Sequence, residues 1–155
     1  MRISVVTAVK NGRNTLAEML KSLHAQTHHD IEHIIQDGGS TDGTLDVLQR
    51  QGLPNTDIVS CDDTGIYDAI NKGIRRATGD VIGLLHADDR LASPDILEDV
   101  AAAFEDEAID GVYGDLQYVA RDNPNRVIRH WKAGNYSRAS LRRGWMHRAH
   151  GNSMS

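Results

Sequence analysis

The first 120 residues alternate between short apolar runs and segments with helical spacing, and this alternation restricts the fold more than any other feature. Short apolar runs predict strands over residues 3–9, 31–37, 57–60, 81–85 and 112–119. Strands that alternate with single helices form βαβ units, which give a largely parallel sheet with right-handed crossovers. We therefore predict an α/β fold in which helices flank a mainly parallel central sheet.

Helix signals fill the intervals between these strands. From Leu16 onward, apolar residues occur at i, i+3, i+4 and i+7, and Thr15 with Glu18 predicts a capping box at the start of this helix. Further helices are predicted over residues 41–51, 66–77 and 94–105. After residue 119 the periodicity weakens, and only a strand over residues 126–131 and a short basic helix over residues 137–143 are indicated.

Small residues form a stripe on the third predicted helix, and an apolar run follows that helix. Ala69, Gly73 and Ala77 lie on one side of the helix, where another element can approach closely. The run over residues 81–85 is apolar enough to predict a strand in the middle of the sheet.

Composition restricts the class of protein. A chain of 155 residues can form one hydrophobic core, and 39% hydrophobic with 25% charged residues is typical of a globular domain. The formal net charge of -5 argues against a nucleic-acid partner. The single cysteine, Cys61, excludes an internal disulfide, and we find neither a membrane-spanning apolar run nor a secretion signal. We therefore expect a cytoplasmic protein.

Polar clusters follow four of the predicted strands, over residues 7–11, 37–43, 62–65 and 86–89. Each cluster alone is typical of a turn with a helix cap. In an open parallel sheet, however, ligands bind beyond the carboxyl ends of the strands, where all four clusters meet. Acidic groups gathered there repel one another unless a cation is present, and carboxylates such as Asp88 and Asp89 suit Mg²⁺ or Mn²⁺.

The segments 3–12, 36–44, 63–73 and 86–89 resemble, in order and spacing, the family 2 glycosyltransferases of the GT-A fold, especially bacterial enzymes of polysaccharide assembly. The resemblance covers about residues 2–119. It implies transfer of a sugar, with inversion, from a nucleotide diphosphate sugar to a hydroxyl of a sugar or lipid-linked acceptor. A UDP-sugar is the expected donor and a GDP-sugar the alternative. Mn²⁺ or Mg²⁺ is the expected cofactor.

The nucleotide-binding residues that we predict are Thr7, Ala8, Val9, Asn11, Asp37, Asp63, Gly65, Lys72 and Asp88. The resemblance implies that the backbone of the first three contacts the base and that the carboxylate of Asp37 accepts an N–H of uracil or guanine. Asp37 as a plain helix cap and Lys72 as part of a solvated basic turn are the alternatives.

Metal and acceptor contacts are predicted from fewer residues. The resemblance assigns the metal to Asp88 and Asp89. His86 stands where the family often has Asp or Asn, and it is either a further metal or ribose ligand or a polar residue at a strand end. Asp115 is the candidate catalytic residue on the sugar or acceptor side, with a strand-end turn as the alternative.

The resemblance also implies a domain that continues beyond residue 155. We expect a donor-binding core over residues 1–119 and an incomplete, partly disordered acceptor-side region over residues 120–155. This expectation leaves a second function open, a truncated nucleotide-sugar-binding module with little or no transferase activity. An uncovered sheet would also favour a homo-oligomer.

A basic and aromatic patch closes the sequence. It comprises Trp131, Tyr136, Arg138, Arg142, Arg143 and Trp145, and it suggests contact with anionic lipid or a lipid-linked acceptor at the inner face of the membrane. Three other enzyme classes lack their motifs: the glycine-rich triphosphate loop of nucleotidyltransferases, the Gly-x-Gly-x-x-Gly turn of dehydrogenases, and the Gly-x-Ser-x-Gly elbow of serine hydrolases.

Overall fold

The computed structural model describes residues 1–54, 56–120 and 122–134. The chain forms two compact units, one spanning Met1–Ile109 and one beginning at Asp110. The elements of the first unit are β1 (Ile3–Val9), α1 (Leu16–His24), β2 (Ile31–Asp37), α2 (Thr44–Gln51), β3 (Asp57–Ser60), α3 (Ile66–Ile74), β4 (Val81–Leu84) and α4 (Ile96–Ala103). The second unit contains β5 (Leu116–Ala120) and β6 (Asn123–Trp131).

A four-stranded parallel sheet organises the first unit, in the order β3-β2-β1-β4. This arrangement confirms the predicted α/β fold with a parallel sheet. All seven residues of β1 are buried, as expected for a central strand. The register pairs Val5 with His33 and Val9 with Asp37, so that β1 and β2 end side by side.

The predicted central position of the fourth strand is wrong within the described residues. There β4 pairs with β1 alone and forms an edge of the sheet. Ile82 and Leu84, whose side chains point to the same face of β4, are exposed at 44% and 53%, so this face of the strand is largely uncovered. An apolar sequence predicts that a strand can be buried on both faces, but it does not predict how many neighbouring strands the described chain supplies.

Helices cover both faces of the sheet. On one face, Val5 and Val9 pack with the apolar side chains of α1 and α2 and with Leu97 of α4. On the other face α3 lies against β1, and a Cβ atom added to Gly73 would be 2.4 Å from Cγ1 of Val6. The predicted close approach at the stripe of small residues is therefore confirmed at Gly73, and Ala69 is also buried there.

Helix ends differ from the prediction for local reasons. The capping box at α1 is wrong, because the hydroxyl of Thr15 donates to the Gly12 carbonyl and does not cap the helix. Helix α2 begins at Thr44, three residues later than predicted, because Asp42 and the left-handed Gly43 form a turn before it. Helix α3 ends at Ile74, where the amide of Arg76 bonds three residues back and tightens the last turn.

Helix α4 and strand β4 also differ from the prediction at their ends. Helix α4 covers Ile96–Ala103, within the predicted residues 94–105. Strand β4 ends at Leu84, one residue before the predicted end.

The second unit is an antiparallel pair of strands. β5 starts at Leu116 rather than at residue 112, and β6 begins three residues before its predicted start. The guanidinium of Arg129 lies 5.9 Å from the ring centroid of Tyr118 across the pair. The helix predicted over residues 137–143 and most of the basic and aromatic patch lie outside the described residues. In the part of the chain that the structure describes, no helix is long and apolar enough to cross a membrane.

Candidate nucleotide-sugar site

A cleft of about 500 Å³ opens where β1 and β4 end. Its lining combines residues of three separate segments of the chain: Ala8, Val9, Lys10, Asn11, Gly12, Thr15, Ile66, His86, Ala87 and Asp88. Five of these belong to the predicted nucleotide and metal residues, namely Ala8, Val9, Asn11, His86 and Asp88. The structure therefore brings together the first and fourth polar clusters, as expected for the carboxyl ends of parallel strands.

Hydrogen bonds fasten the loop after β1 to the loop after β2. The side-chain oxygen of Asn11 accepts from the amide of Thr41 at 2.9 Å, and the amide of Asn11 donates to the hydroxyl of Ser40 at 2.7 Å. Asn11 adopts a φ of 54°, a left-handed conformation that Asn tolerates better than most residues.

The same two loops are joined again one residue further on. The amide of Gly12 donates to the hydroxyl of Thr44 at 2.9 Å, and the amide of Arg13 donates to Asp42 at 3.1 Å. Hydrogen bonds from Thr44 and Arg13 hold the pKa of Asp42 below its usual value, the hydroxyl of Thr44 having the largest effect. Asp42 is therefore charged, and its carboxylate holds the two loops together.

Asp37 is fully buried at the end of β2. Its carboxylate accepts hydrogen bonds from the amides of Gly39 and Ser40 at 3.1 and 3.0 Å, from the Ser60 hydroxyl at 2.6 Å, and from the Ser40 hydroxyl. Within the described part of the chain, Oδ2 accepts three of these bonds and Oδ1 accepts one. Asp37 thus organises its own loop, and Oδ1 accepts one bond fewer than a carboxylate oxygen can. Because Asp37 is fully buried and does not line the cleft, its contact with a base stays a prediction.

The segment after β3 lies against the glycines of that loop. A Cβ atom added to Gly38 would be 2.3 Å from Oδ2 of Asp63, so that the carboxylate contacts the loop closely. The other oxygen of Asp63 accepts the amide of Gly65 at 2.9 Å, and Gly65 has a φ of 128°, which a residue with a side chain rarely adopts. Asp63 and Gly65 therefore form the turn that leads into α3.

Lys72 holds this turn from the helix. Its ammonium group lies 2.9 Å from Oδ2 of Asp68 and donates to the carbonyl of Asp62 at 3.0 Å. The hydrogen bond with Asp68 is the main cause that raises the pKa of Lys72 and lowers that of Asp68. Neither Asp63 nor Lys72 lines the cleft, and their contact with a nucleotide stays a prediction.

The loop after β4 carries the predicted metal ligands. Asp88 lines the cleft and is exposed, as is Asp89, whose amide donates to the carbonyl of His86 at 3.0 Å. Partial loss of solvation and then repulsion from Asp88 raise the pKa of Asp89, while His86 opposes the rise. A cation would remove this repulsion, so the carboxylate pair fits a hard divalent ion.

The described side chains alone do not complete a metal site there. Across residues 1–54, 56–120 and 122–134, no three His, Cys, Asp or Glu side chains converge to hold an ion. Among the described residues, Asp88 and Asp89 therefore form an incomplete set of ligands for an ion.

Asp115 belongs to the second unit. Its carboxylate accepts from the amide of Ala133 at 2.9 Å and lies 3.0 Å from Nε2 of His130. The bond from Ala133, supported by His130, lowers the pKa of Asp115 below its usual value. A lower pKa makes a weaker base, and the catalytic assignment of Asp115 stays a prediction.

A model of the family described as Glycosyl transferase family 2 matches residues 4–154. The chain belongs to glycosyl transferase family 2. The PGL/p-HBAD biosynthesis glycosyltransferase of Mycobacterium bovis (strain BCG / Pasteur 1173P2) is 41% identical over 117 residues, which are 73% of this chain and 46% of that protein. The chain thus spans less than half the length of this family 2 relative.

Solved structures agree with the family on the fold. S. aureus TarS has a TM-score of 0.61 at 29% identity, over 69% of this chain and 33% of that one. The mannosyltransferase PcManGT from Pyrobaculum calidifontis, solved in complex with GDP-Man and Mn²⁺, has a TM-score of 0.62 at 27% identity, over 77% and 36%. This family 2 chain therefore has the GT-A fold that the resemblance implied.

Two features of this family 2 site were missed by the sequence prediction. The first is the role of Asn11, Ser40, Asp42 and Thr44 in joining two loops, which depends on contacts between residues about 30 positions apart. The second is Ser60, the last residue of β3, which donates to Asp37. A polar residue at a strand end was the available signal in both cases, but it is equally typical of an ordinary turn.

Proposed function

We propose that this chain binds a nucleotide diphosphate sugar and belongs to a glycosyltransferase that transfers the sugar to an acceptor hydroxyl. One observation carries the proposal: the backbone end of β1 and the acidic loop after β4 line the same cleft. A nucleoside and a charged diphosphate need these two kinds of surface next to each other. The membership of family 2 and the GT-A fold support the same function.

The base is proposed to lie at the ends of β1 and β2. The free capacity of Asp37 Oδ1 suits an imino N–H donor, which uracil and guanine have and which adenine and cytosine lack. UDP-sugar is our first choice and GDP-sugar the second. GDP-Man, bound by the Pyrobaculum mannosyltransferase, supports a donor with such a base.

The diphosphate is proposed to meet Asp88 and Asp89 through Mn²⁺ or Mg²⁺. The two carboxylates supply oxygen ligands, His86 is a further candidate, and phosphate oxygens would complete the coordination. Such an ion acts as a Lewis acid that stabilises the charge on a leaving diphosphate. The Mn²⁺ complex of the Pyrobaculum relative supports this assignment.

The transfer step is proposed to proceed with inversion, with Asp115 as the base that accepts the acceptor proton. The acceptor that we propose is a sugar or a lipid-linked sugar of cell-surface polysaccharide assembly, reached from the cytoplasmic side of the membrane. The PGL/p-HBAD biosynthesis glycosyltransferase, whose name refers to a biosynthetic pathway, supports a biosynthetic role.

Calorimetry with UDP, GDP, dTDP and CDP, each with and without Mn²⁺, tests the donor assignment. We expect UDP or GDP to bind in the presence of Mn²⁺ and CDP to bind weakly, because cytosine has no imino N–H. Equal binding of all four nucleotides would contradict base recognition by Asp37. No binding of any nucleotide would contradict the proposed function.

Transfer is tested separately, with labelled UDP-sugars and a pooled acceptor extract. Acceptor-dependent transfer that is lost in Asp115→Asn and kept in Asp122→Asn would support the proposed base, since Asp122 is an exposed carboxylate of the same unit. Donor binding without transfer would instead support the nucleotide-sugar-binding module.

A further inference from the structure

A buried polar chain crosses the apolar core beneath the cleft. His33 on β2 and Thr7 on β1 are both fully buried, and Nε2 of His33 lies 3.1 Å from Oγ1 of Thr7. Oγ1 of Thr7 also lies 2.8 Å from the carbonyl oxygen of Leu85. These hydrogen bonds therefore connect β2, through β1, to the residue that follows β4.

The protons of the His33 ring and the Thr7 hydroxyl can be assigned from the chemistry of the groups that they join. The Leu85 carbonyl can only accept, so the single hydroxyl proton of Thr7 points to it. The Thr7 oxygen must then accept from His33, which fixes the tautomer with hydrogen on Nε2. Nδ1 of His33 keeps its lone pair, and it has no hydrogen-bond partner within the described residues.

Burial keeps this imidazole neutral. Loss of solvation, and to a lesser degree the charge of His24, lowers the pKa of His33 to about 4. A neutral ring with hydrogen on Nε2 is thus the form present near pH 7. The Thr7 hydroxyl is held by a donor on one side and an acceptor on the other.

Stability alone does not account for a histidine at this place. The neighbouring β2 side chains Ile34 and Ile35 are apolar, and an apolar residue at position 33 would avoid the cost of burying Nδ1, which has no partner within the described residues. What His33 supplies and an apolar residue does not is an N–H aimed at Thr7.

The hydrogen bonds that begin at His33 end at Leu85, the residue directly before the acidic loop. The amide of Leu85 donates to the carbonyl of Val6 at 3.1 Å, and the Leu85 carbonyl accepts from Thr7. Both polar groups of the Leu85 backbone are thereby held by β1. The loop that begins with His86 and carries Asp88 leaves from this fixed point.

We propose that His33 is a positioning residue which, through Thr7, fixes the Leu85 carbonyl and with it the loop that carries Asp88 and Asp89. The consequence for ligand binding rests on the proposed function, whereas the positioning itself does not.

NMR of the ¹⁵N-labelled chain tests the positioning without any ligand. We expect the His33 ring to show hydrogen on Nε2, and the amide signals of Leu85 to Asp89 to shift in His33→Leu and in Thr7→Val. His33→Gln places an amide donor near the position of Nε2, so its Leu85 to Asp89 signals should return toward those of the wild type. A ring with hydrogen on Nδ1, or His33→Gln and His33→Leu signals displaced alike, would overturn the proposal.

Calorimetry with UDP and Mn²⁺, beside uridine alone, tests the consequence. We expect about tenfold weaker UDP binding in His33→Leu, recovery to within about threefold in His33→Gln, and unchanged uridine binding in both, as one lost hydrogen bond implies. Equal UDP affinity in the wild type and His33→Leu would overturn the role in ligand binding. If the wild type binds no nucleotide, the proposed function fails while the NMR result still decides the positioning. Should His33→Leu not fold, Thr7→Val carries the NMR test, which needs no ligand and decides the positioning.

Discussion

The side-chain oxygen of Asn11 accepts the backbone N–H of Thr41 at 2.9 Å, and this bond joins two loops that are 30 residues apart in the sequence. Asn11 also has a φ of 54°, so that one residue combines a left-handed backbone with a loop-to-loop bond. Asn11→Gly keeps the backbone conformation and removes the bond, whereas Asn11→Ala removes the bond and adds backbone strain. We expect the free energy of unfolding to fall by about 1 kcal/mol in Asn11→Gly and by about 2 kcal/mol in Asn11→Ala.

Urea denaturation of the two Asn11 variants measures these losses. Asn14→Ala is the matched control, because Asn14 is an exposed asparagine of the same loop as Asn11. A stability of Asn11→Gly equal to that of the wild type would show that the Thr41 bond contributes nothing.

Asp37 serves two roles in our proposal, and its variants should separate them. The amide group of Asp37→Asn cannot accept all four hydrogen bonds that the carboxylate accepts, so we expect a loss of about 1–3 kcal/mol in the free energy of unfolding. Ser60→Ala removes one of the four donors and leaves the carboxylate in place. We expect it to lose about 1 kcal/mol and to retain base recognition.

The ratio of UDP to CDP affinity distinguishes base recognition from loop stability. We expect this ratio to fall toward one in Asp37→Asn and to stay at the wild-type value in Ser60→Ala. A ratio that is unchanged in Asp37→Asn would mean that Asp37 only organises its loop.

The strands of the first unit could be predicted from the sequence, because their apolar β-branched runs are local signals. β1, β2 and β3 begin and end where the pattern placed them. The helix ends were less predictable, since α2 begins only after Asp42 has taken the amide and hydroxyl of Thr44 at 3.0 and 2.5 Å. Such a turn competes with the first turn of a helix, and the same residue types, Asp, Gly and Thr, are typical of both structures.

The site was predictable as a set of strand ends but not as a network. The motif order placed Asn11, His86 and Asp88 at one edge, and all three line the cleft. The burial of Asp37 and the buried bond between His33 and Thr7 depend on which β2 residue lies beside which β1 residue. That register is a tertiary property, and strand periodicity does not contain it.

The repulsion between Asp88 and Asp89 predicts a role for the metal. UDP should bind more weakly after EDTA treatment, whereas uridine should bind equally with and without the ion, because only the diphosphate offers phosphate oxygens. In Asp88→Asn/Asp89→Asn, UDP binding should lose its dependence on Mn²⁺. The double variant Asp95→Asn/Asp99→Asn, in an exposed acidic pair at the start of α4, should keep it. Calorimetry measures these affinities, and UDP binding that EDTA leaves unchanged would exclude the metal.

Gly73 allows α3 to lie against β1, and Gly73→Ala should therefore destabilise the chain. The new methyl group would lie 2.4 Å from Cγ1 of Val6. Overpacking of this kind costs about 1–3 kcal/mol, which exceeds the roughly 1 kcal/mol that alanine gains over glycine in a helix. We expect a net loss of up to about 2 kcal/mol in the free energy of unfolding.

A second substitution tests the contact between α3 and β1. Val6→Ala/Gly73→Ala removes the contacted methyl groups, so its loss of stability should be smaller than the sum of the two single losses. Additive losses, measured by denaturation, would show that Gly73→Ala acts through some other contact.

His33 predicts a specific loss of stability in mild acid. Its pKa is about 4 in the folded chain, against an ordinary value of 6.5. Between these values the unfolded chain binds a proton that the folded chain does not, so stability must fall as the pH decreases through this window. The contribution of His33 is complete above pH 6.5, and about 3 kcal/mol of it is lost by pH 4.

His33→Gln isolates this effect, because glutamine does not titrate and can still donate to Thr7. Other groups with lowered pKa values, such as Glu32 and Asp42, titrate in both proteins and cancel in the difference. The free energy of unfolding of the wild type minus that of His33→Gln should therefore be constant above pH 6.5 and decrease steadily between pH 6.5 and 4. Urea denaturation across this range measures the difference. Parallel pH curves for the two proteins would mean that His33 titrates in the folded chain near its ordinary pKa, and the neutral, buried imidazole would then be wrong.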